Sequence, residues 1–249
     1  MNLDQVITER KSKTLYRDGD KTIKLFHDQY TKVDVLTEAL IQVRVEQTGL
    51  NIPKVLEVTM VNGEWAIISE YIEGDLLADL IAQNPRKKDR YLKLMVDIQN
   101  EIHTKKCPRI DKLRDKMNRK VTVADIEPNV RYDLHTVIEG MPKRKEVCHG
   151  NFDPTKVIIT ADGTPYVVGW KHASQGCPAG DAATTYMLLR LSYDQKFADR
   201  YLELFCKTSG IAKTEVQRWL PIVAAARSIS CTEAEKELLM PWINVEEIV

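Results

Sequence analysis

No window of eighteen apolar residues occurs anywhere in the 249, so no membrane-spanning helix is expected. The N-terminus carries Asp4, Glu9, Arg10 and Lys11 with no apolar run, which excludes a signal-peptide pattern. A soluble, cytoplasmic protein is the expectation. The five cysteines (Cys107, Cys148, Cys177, Cys206 and Cys231) form no C-x-x-C pair, and an odd, scattered set suits reduced thiols better than a disulfide framework. Neither sign of charge prevails. Lysine plus arginine and aspartate plus glutamate number 36 each, leaving no net field to draw the chain to nucleic acid or to an anionic membrane. The one basic stretch, from Arg109 through Lys120 to Lys143-Arg144-Lys145, has no interleaved aromatics for base stacking and reads as a solvated face. Repeats and low-complexity segments are absent too. The length allows one large domain or two small ones with a substantial core.

What is present is organised around residues 147–186. Two short β-type runs, 156–160 and 166–168, are separated by Ala-Asp-Gly-Thr-Pro, a turn in which Gly163 is free to take positive φ, so a hairpin is expected. A polar loop, His149-Gly150-Asn151-Phe152-Asp153-Pro154, precedes it. After it comes Gly169-Trp170-Lys171, then Asp181 placed to cap an apolar helix over 182–191.

The N-terminal third alternates like small antiparallel strands. Runs at 14–16 and 21–26 flank an Asp-Gly turn, with Ile23 and Leu25 on one face and Lys24 on the other. A helix over 34–47 would turn Leu36, Leu40, Val43 and Gln47 inward and stop at Gly49. Runs at 56–61 and 65–69, led in by 51–55, complete a sheet of five short strands. Beyond Asp75 the periodicity is helical: 76–83, 88–103, a basic-flanked helix carrying Leu113 and Met117, about 122–139, and then 194–209, 214–230 and 232–241. The expected class is α+β.

The segment from Cys148 resembles the catalytic core of the aminoglycoside phosphotransferase and choline kinase-like family, which reads roughly C-H-G-D-x-H-P-x-N followed by I-D-W-x-x-A-x-x-G-x-P-x-x-D-x-A. Cys148, His149, Gly150, Pro154, Val157, Trp170, Ala173, Gly176, Pro178, Asp181 and Ala183 match in order and spacing. The resemblance implies a bilobal protein kinase-like fold. Residues 1–69 would form a small antiparallel-sheet N-lobe with one helix, 70–75 the hinge, and 76–249 a mostly α-helical C-lobe. It implies that Lys24 holds nucleotide phosphates, with Lys21 the competing candidate, and that Glu38 pairs with that lysine. Glu70 (through its carbonyl) and Ile72 (through its N–H) would pair with adenine, and His103 would be a packed core histidine. Phosphates are normally covered by a glycine-bearing loop between the first two strands. Here 8–14 has no glycine, and Arg10, Lys11 and Lys13 would offer charge instead.

The departures fall on the chemistry. Asn151 stands where the family has its catalytic Asp, Asp153 where it has a second His, Lys156 where it has a metal-binding Asn, and Gly169 where it has a metal-binding Asp. An amide cannot take the acceptor's proton, and neither metal position keeps an oxygen ligand. Three readings stand open. The first is a pseudokinase-like protein that binds ATP without Mg²⁺, using Lys24, Lys156 and Lys171 as fixed cations, or binds a small hydroxylated ligand. The second is an ATP-dependent small-molecule O-kinase with chemistry rerouted through Asp153. The third is a scaffold that works through a protein partner.

Overall fold

The first strand is one that the sequence hides. All six residues of β1 (Gln5–Arg10) are exposed, so no apolar alternation marks it. It forms by pairing with β2 (Lys13–Asp18), Glu9 opposite Thr14 and Arg10 opposite Lys13. The segment 8–14, expected to be a covering loop, is therefore mostly strand, with Lys11 and Ser12 alone making the turn. Next come β3 (Lys21–Phe26), α1 (Lys32–Glu46), β4 (Val55–Val61) and β5 (Glu64–Glu70). The sheet is antiparallel throughout, in the order β1-β2-β3-β5-β4. This computed structural model describes residue 3 and residues 5–243.

β3 is buried on both faces. Ile23 and Leu25 pack with Val61, Ala66 and Ile68, while Phe26 joins Val35, Ala39 and Ile67 under α1. Lys24 lies on the α1 side by alternation. A Thr31/Asp34 capping box opens α1, two residues earlier than expected. The helix buries Val35, Glu38, Ala39 and Val45 and leaves Leu36 and Leu40 43% and 46% exposed. The expected inward face was thus wrong: the pairing of Glu38 with Lys24 sets the rotation of the helix, and leucines that apolar periodicity would bury are turned outward.

The rest of the chain runs β6 (Asp75–Leu76), α2 (Leu77–Gln83), α3 (Lys88–Thr104), α4 (Leu113–Val123), α5 (Pro128–Gly140), β7 (Glu146–Cys148), β8 (Val157–Ile159), β9 (Pro165–Val167), β10 (Ser174–Gly176), α6 (Pro178–Ser192), α7 (Gln195–Ser209), α8 (Lys213–Gln217), α9 (Leu220–Ser228) and α10 (Glu233–Ile243). Prolines correct three helix boundaries, because a missing N–H costs nothing in the first turn of a helix. The helix expected over 122–139 starts only at Pro128, that over 182–191 starts at Pro178, and that over 214–230 is broken before Pro221.

The chain divides into two units. One holds the chain through Gln83 together with Pro154–Lys171, and the other holds Asn84–Asp153 and the chain from His172 onward. The hairpin β8–β9 folds with the first unit because β8 pairs with β6 and the Val167 N–H donates to the Asn51 carbonyl. The second unit is mostly helical, with Leu92, Met95, Leu113, Leu134, Tyr201 and Trp219 fully buried. Its two-stranded sheet pairs β7, which leads into the polar loop at 149–153, with β10. None of the five cysteines forms a disulfide.

Candidate functional site

In the N-terminal unit, Lys24 donates to the Glu38 carboxylate, so the expected strand–helix pair is formed. The competing Lys21 is exposed at the start of β3. Two further lysines gather here. Lys13 Nζ lies 5.8 Å from the Phe26 ring centre and 5.7 Å from that of Tyr30, Lys24 Nζ is 5.3 Å from Phe26, and Lys171 Nζ is 4.7 Å from Tyr30. Burial pushes the Lys13 and Lys24 ammonium groups down from their usual range. Glu38 opposes that shift, while the charge of Lys171 adds to it at both and that of Lys13 adds to it at Lys24. A carboxylate that senses Lys171 is the exposed Asp34, already engaged in capping α1. Lys13 and Lys24 therefore share one buried carboxylate, Glu38, whose Oε2 has no hydrogen-bond partner, and Lys171 adds a third ammonium to their surroundings. Such a cluster favours an added anion. Lys13, expected from the sequence to offer charge from a loop, instead sits in strand β2 opposite Phe26 in the β2–β3 register.

Glu70 closes β5. Its N–H donates to the Lys54 carbonyl and its carboxylate accepts from the Lys54 N–H. The next N–H, of Tyr71, donates to the Asp20 carbonyl, and the Arg17 guanidinium lies 4.0 Å from the Tyr71 ring. The segment leading to Ile72 is thus fixed to the sheet at its start.

Lys156 and Gly169, the positions at which the resemblance implied metal ligands, lie together in the same unit. Gly169 has φ +85°, and a Cβ built there would sit 3.1 Å from Lys156 Cδ. The Lys156 stem therefore occupies the side of Gly169 where a carboxylate would project, and its ammonium donates to Thr155 Oγ1. A divalent cation does not fit this pair, which offers no oxygen ligand and a fixed positive charge. Among the described residues, no three His, Cys, Asp or Glu side chains converge as a metal site.

The polar loop belongs to the C-terminal unit. Gly150 has φ +72°, and a Cβ there would meet the His172 carbonyl oxygen at 2.4 Å, so this position takes only glycine. The Gly150 N–H donates to Asp181 Oδ1 at 2.7 Å, and the Asn151 N–H donates to His149 Nδ1 at 3.3 Å. Asp181 is not the expected cap. Cys177 holds the N-cap position of α6, and the fully buried Asp181 carboxylate also accepts from His103 Nε2 (2.9 Å) and Gln99 Nε2 (3.2 Å). Burial alone would push its carboxyl up, yet the hydrogen bonds and charge of His103, with the Gly150 N–H, hold it below the usual carboxylate range. His103 is the packed histidine expected, edge-on to Phe205 at 5.9 Å. The partly buried Asp153 ends the loop.

Sequence reasoning missed Lys116. Its ammonium donates to the His172 and Ala173 carbonyls, 2.8 and 3.2 Å away, bracing the segment just before β10 that meets Gly150. Burial, aided by Lys120, lowers its pKa to about 8. Unfolded, it titrates at about 10.4. Between these values the unfolded chain holds a proton that the folded chain sheds, so stability rises with pH across the window. Urea melts of wild type and Lys116→Met at pH 7, 8.5 and 10 should show the wild type gaining on the variant by on the order of 3 kcal/mol. A constant difference would show that Lys116 keeps an ordinary pKa.

No curated protein sequence matches the chain. Solved structures match it along most of its length. The aminoglycoside phosphotransferase APH(4)-Ia has TM-score 0.69 at 12% identity, covering 96% of this chain and 90% of its own. APH(3'')-Id from Streptomyces rimosus, in complex with ADP and streptomycin, has TM-score 0.63 at 15% identity over 86% and 90%. LicA in complex with AMP has TM-score 0.65 at 12% identity over 98% and 90%. At such identities the likeness is one of fold, the kinase-like fold expected from residues 147–186. A sequence model described as the phosphotransferase enzyme family matches residues 8–219, a span that takes in the Lys24–Glu38 pair, the hinge segment and the Gly150 loop, and by that match the chain belongs to the phosphotransferase enzyme family.

Proposed function

We propose that this family member binds ATP without a metal and is catalytically impaired, a pseudokinase-like phosphotransferase whose lysines stand in for Mg²⁺. The observation that carries the reading is the cluster of Lys13, Lys24 and Lys171, in which Lys13 and Lys24 share the buried Glu38 carboxylate and both sense the charge of Lys171. The polyphosphate adds the anion that this cluster lacks, with Lys156 a further cation in the same unit. Adenine pairs with the Glu70 carbonyl and the Ile72 N–H, and Asn151 and Asp153 face a small hydroxylated ligand. The impairment rests on Asn151, which cannot accept a proton as a carboxylate does, and on the poor fit of a divalent cation at Lys156 and Gly169.

The sign of the Mg²⁺ effect tests this reading. ATP already carrying Mg²⁺ offers less negative charge to the lysines, and its metal gains no oxygen ligand at residues 156 and 169. Thermal melts in EDTA with ATP at about 100 times its dissociation constant should show stabilisation of about 2.7 kcal/mol. In a domain of this size that is a shift of about 5–10 °C. Added Mg²⁺ should leave the shift unchanged or reduce it, and Lys171→Ala should weaken nucleotide binding more in EDTA than in Mg²⁺. A larger shift with Mg²⁺ would overturn metal-free recognition. No shift in either condition, confirmed by calorimetry, would favour the scaffold reading.

A further inference from the structure

A cleft of about 370 Å³, open solvent included, is lined entirely by residues of the C-terminal unit. Asn151 supplies an amide at one side, while Met117, Met187 and Val223 give it apolar walls. Its charged lining residues, Lys120 on α4 and Arg227 on α9, are both cations, and no carboxylate lines it among the described residues.

The surroundings set one carboxylate, Glu235, against these two cations. Burial, then the charge of Arg227, lowers the Lys120 pKa, and no carboxylate offsets them. Arg227 Nη2 is 3.9 Å from Glu235 Oε1, a carboxylate already accepting from the Thr232 N–H and hydroxyl, and Arg227 Nε is buried without a partner. One turn before Lys120, Lys116 adds a third ammonium, which donates to the His172 and Ala173 carbonyls. Asp111, the acid that senses Lys116, is paired with Arg119.

We infer that this cleft binds a small hydroxylated anion with a short alkyl body, its carboxylate or phosphate held between Lys120 and Arg227 and its hydroxyl directed to the Asn151 amide. The inference rests on the reading above that Asn151 faces the hydroxylated ligand, and it names the class of that ligand. A polycationic aminoglycoside or choline would bring positive charge against Lys120 and Arg227, which costs affinity in a partly desolvated site. The apolar walls fit a methylene chain better than a bare sugar.

Calorimetry on the full-length chain without nucleotide provides the test, with 6-hydroxyhexanoate as the carboxylate probe, glycerol 2-phosphate as the phosphate probe, and streptomycin and choline as cationic probes. At least one anion should bind with one-to-one stoichiometry, and the tighter of the two identifies the headgroup. Lys120→Gln and Arg227→Gln should each weaken it at least about tenfold, about 1.4 kcal/mol, while Lys120→Arg, which keeps the charge, should retain most of the affinity. Binding of streptomycin or choline in place of the anions, binding of neither anion, or anion binding unaffected by both glutamine variants would overturn the inference. ATP melts on the same samples separate the two readings. Wild type that ignores ATP but binds an anion through Lys120 refutes the nucleotide proposal and upholds the cleft. Loss of the ATP shift in Lys120→Gln, with neither anion bound by wild type, gives the cleft to the nucleotide and overturns the inference.

Discussion

Asp181→Ala should cost the protein about 3–5 kcal/mol, the range for removing one partner from a buried charged network. The carboxylate has no solvent exposure and accepts three donors: the Gly150 N–H, His103 Nε2 and Gln99 Nε2. Gln99 also receives the Tyr201 hydroxyl at 2.5 Å and donates to Thr185 Oγ1 at 3.0 Å. Truncation leaves the donors facing an apolar gap, and each buried unpaired group costs about 1–3 kcal/mol. Because Gly150 is one of them, the polar loop should loosen as well. The carboxyl is held below its usual range in the folded chain. Its stabilisation is therefore present above the unfolded carboxylate pKa of about 3.9 and is lost as pH falls through the lower folded value. Urea melts at pH 7 should show the full loss in Asp181→Ala. Asp181→Asn, which keeps the shape but cannot titrate, should show a flatter acid limb than wild type. A loss below about 1 kcal/mol would mean that water replaces the carboxylate and that the network does not hold the loop.

How far the sequence could be read depended on whether side-chain chemistry or chain environment made each choice. Strand β3 was legible because Ile23 and Leu25 alternate with Lys24 and both faces are buried. Strand β1 was not, since all its residues are exposed and only pairing with β2 marks it. The α1 face was misjudged because apolar periodicity takes leucine to be the inward residue, whereas a buried ion pair at Glu38 outweighs Leu36 and Leu40. For the candidate site, the motif pointed to Lys24, Glu38, Asn151, Lys156 and Gly169. It named Lys13 only as loop charge and said nothing of Lys116, Lys120 or Arg227, which lie on α4 and α9 and enter the clusters only when helices pack. Asp181 looked like a cap because caps are local in sequence. Its partners, 31, 78 and 82 residues away, are not.

Turnover with ATP, Mg²⁺ and any common hydroxyl acceptor should fall below that of an intact phosphotransferase by at least about 10²–10⁴, the usual consequence of losing a general base. Absence of a fitting metal site at Lys156 and Gly169 lowers it further. Robust Mg²⁺-dependent phosphorylation of a small alcohol would sink this expectation, and Asp153→Ala would then show whether that carboxylate had taken over as base. Reversion carries the argument further. Gly169→Asp alone should fail, because a side chain at φ +85° is strained by about 1–2 kcal/mol and would meet the Lys156 stem 3.1 Å away, its carboxylate pairing with the lysine rather than with a cation. Lys156→Asn alone clears the space but supplies no carboxylate. Asn151→Asp alone restores a base with no metal to neutralise the phosphates. The two metal positions are in contact and so should couple strongly. Only Asn151→Asp, Lys156→Asn and Gly169→Asp together should make nucleotide binding tighten with Mg²⁺ in calorimetry, the reverse of the wild-type response. A triple variant with native circular dichroism that remained indifferent to Mg²⁺ would show that residues 151, 156 and 169 do not decide the metal response of this chain. Mg²⁺ dependence from Gly169→Asp alone would refute the proposed blockade by Lys156.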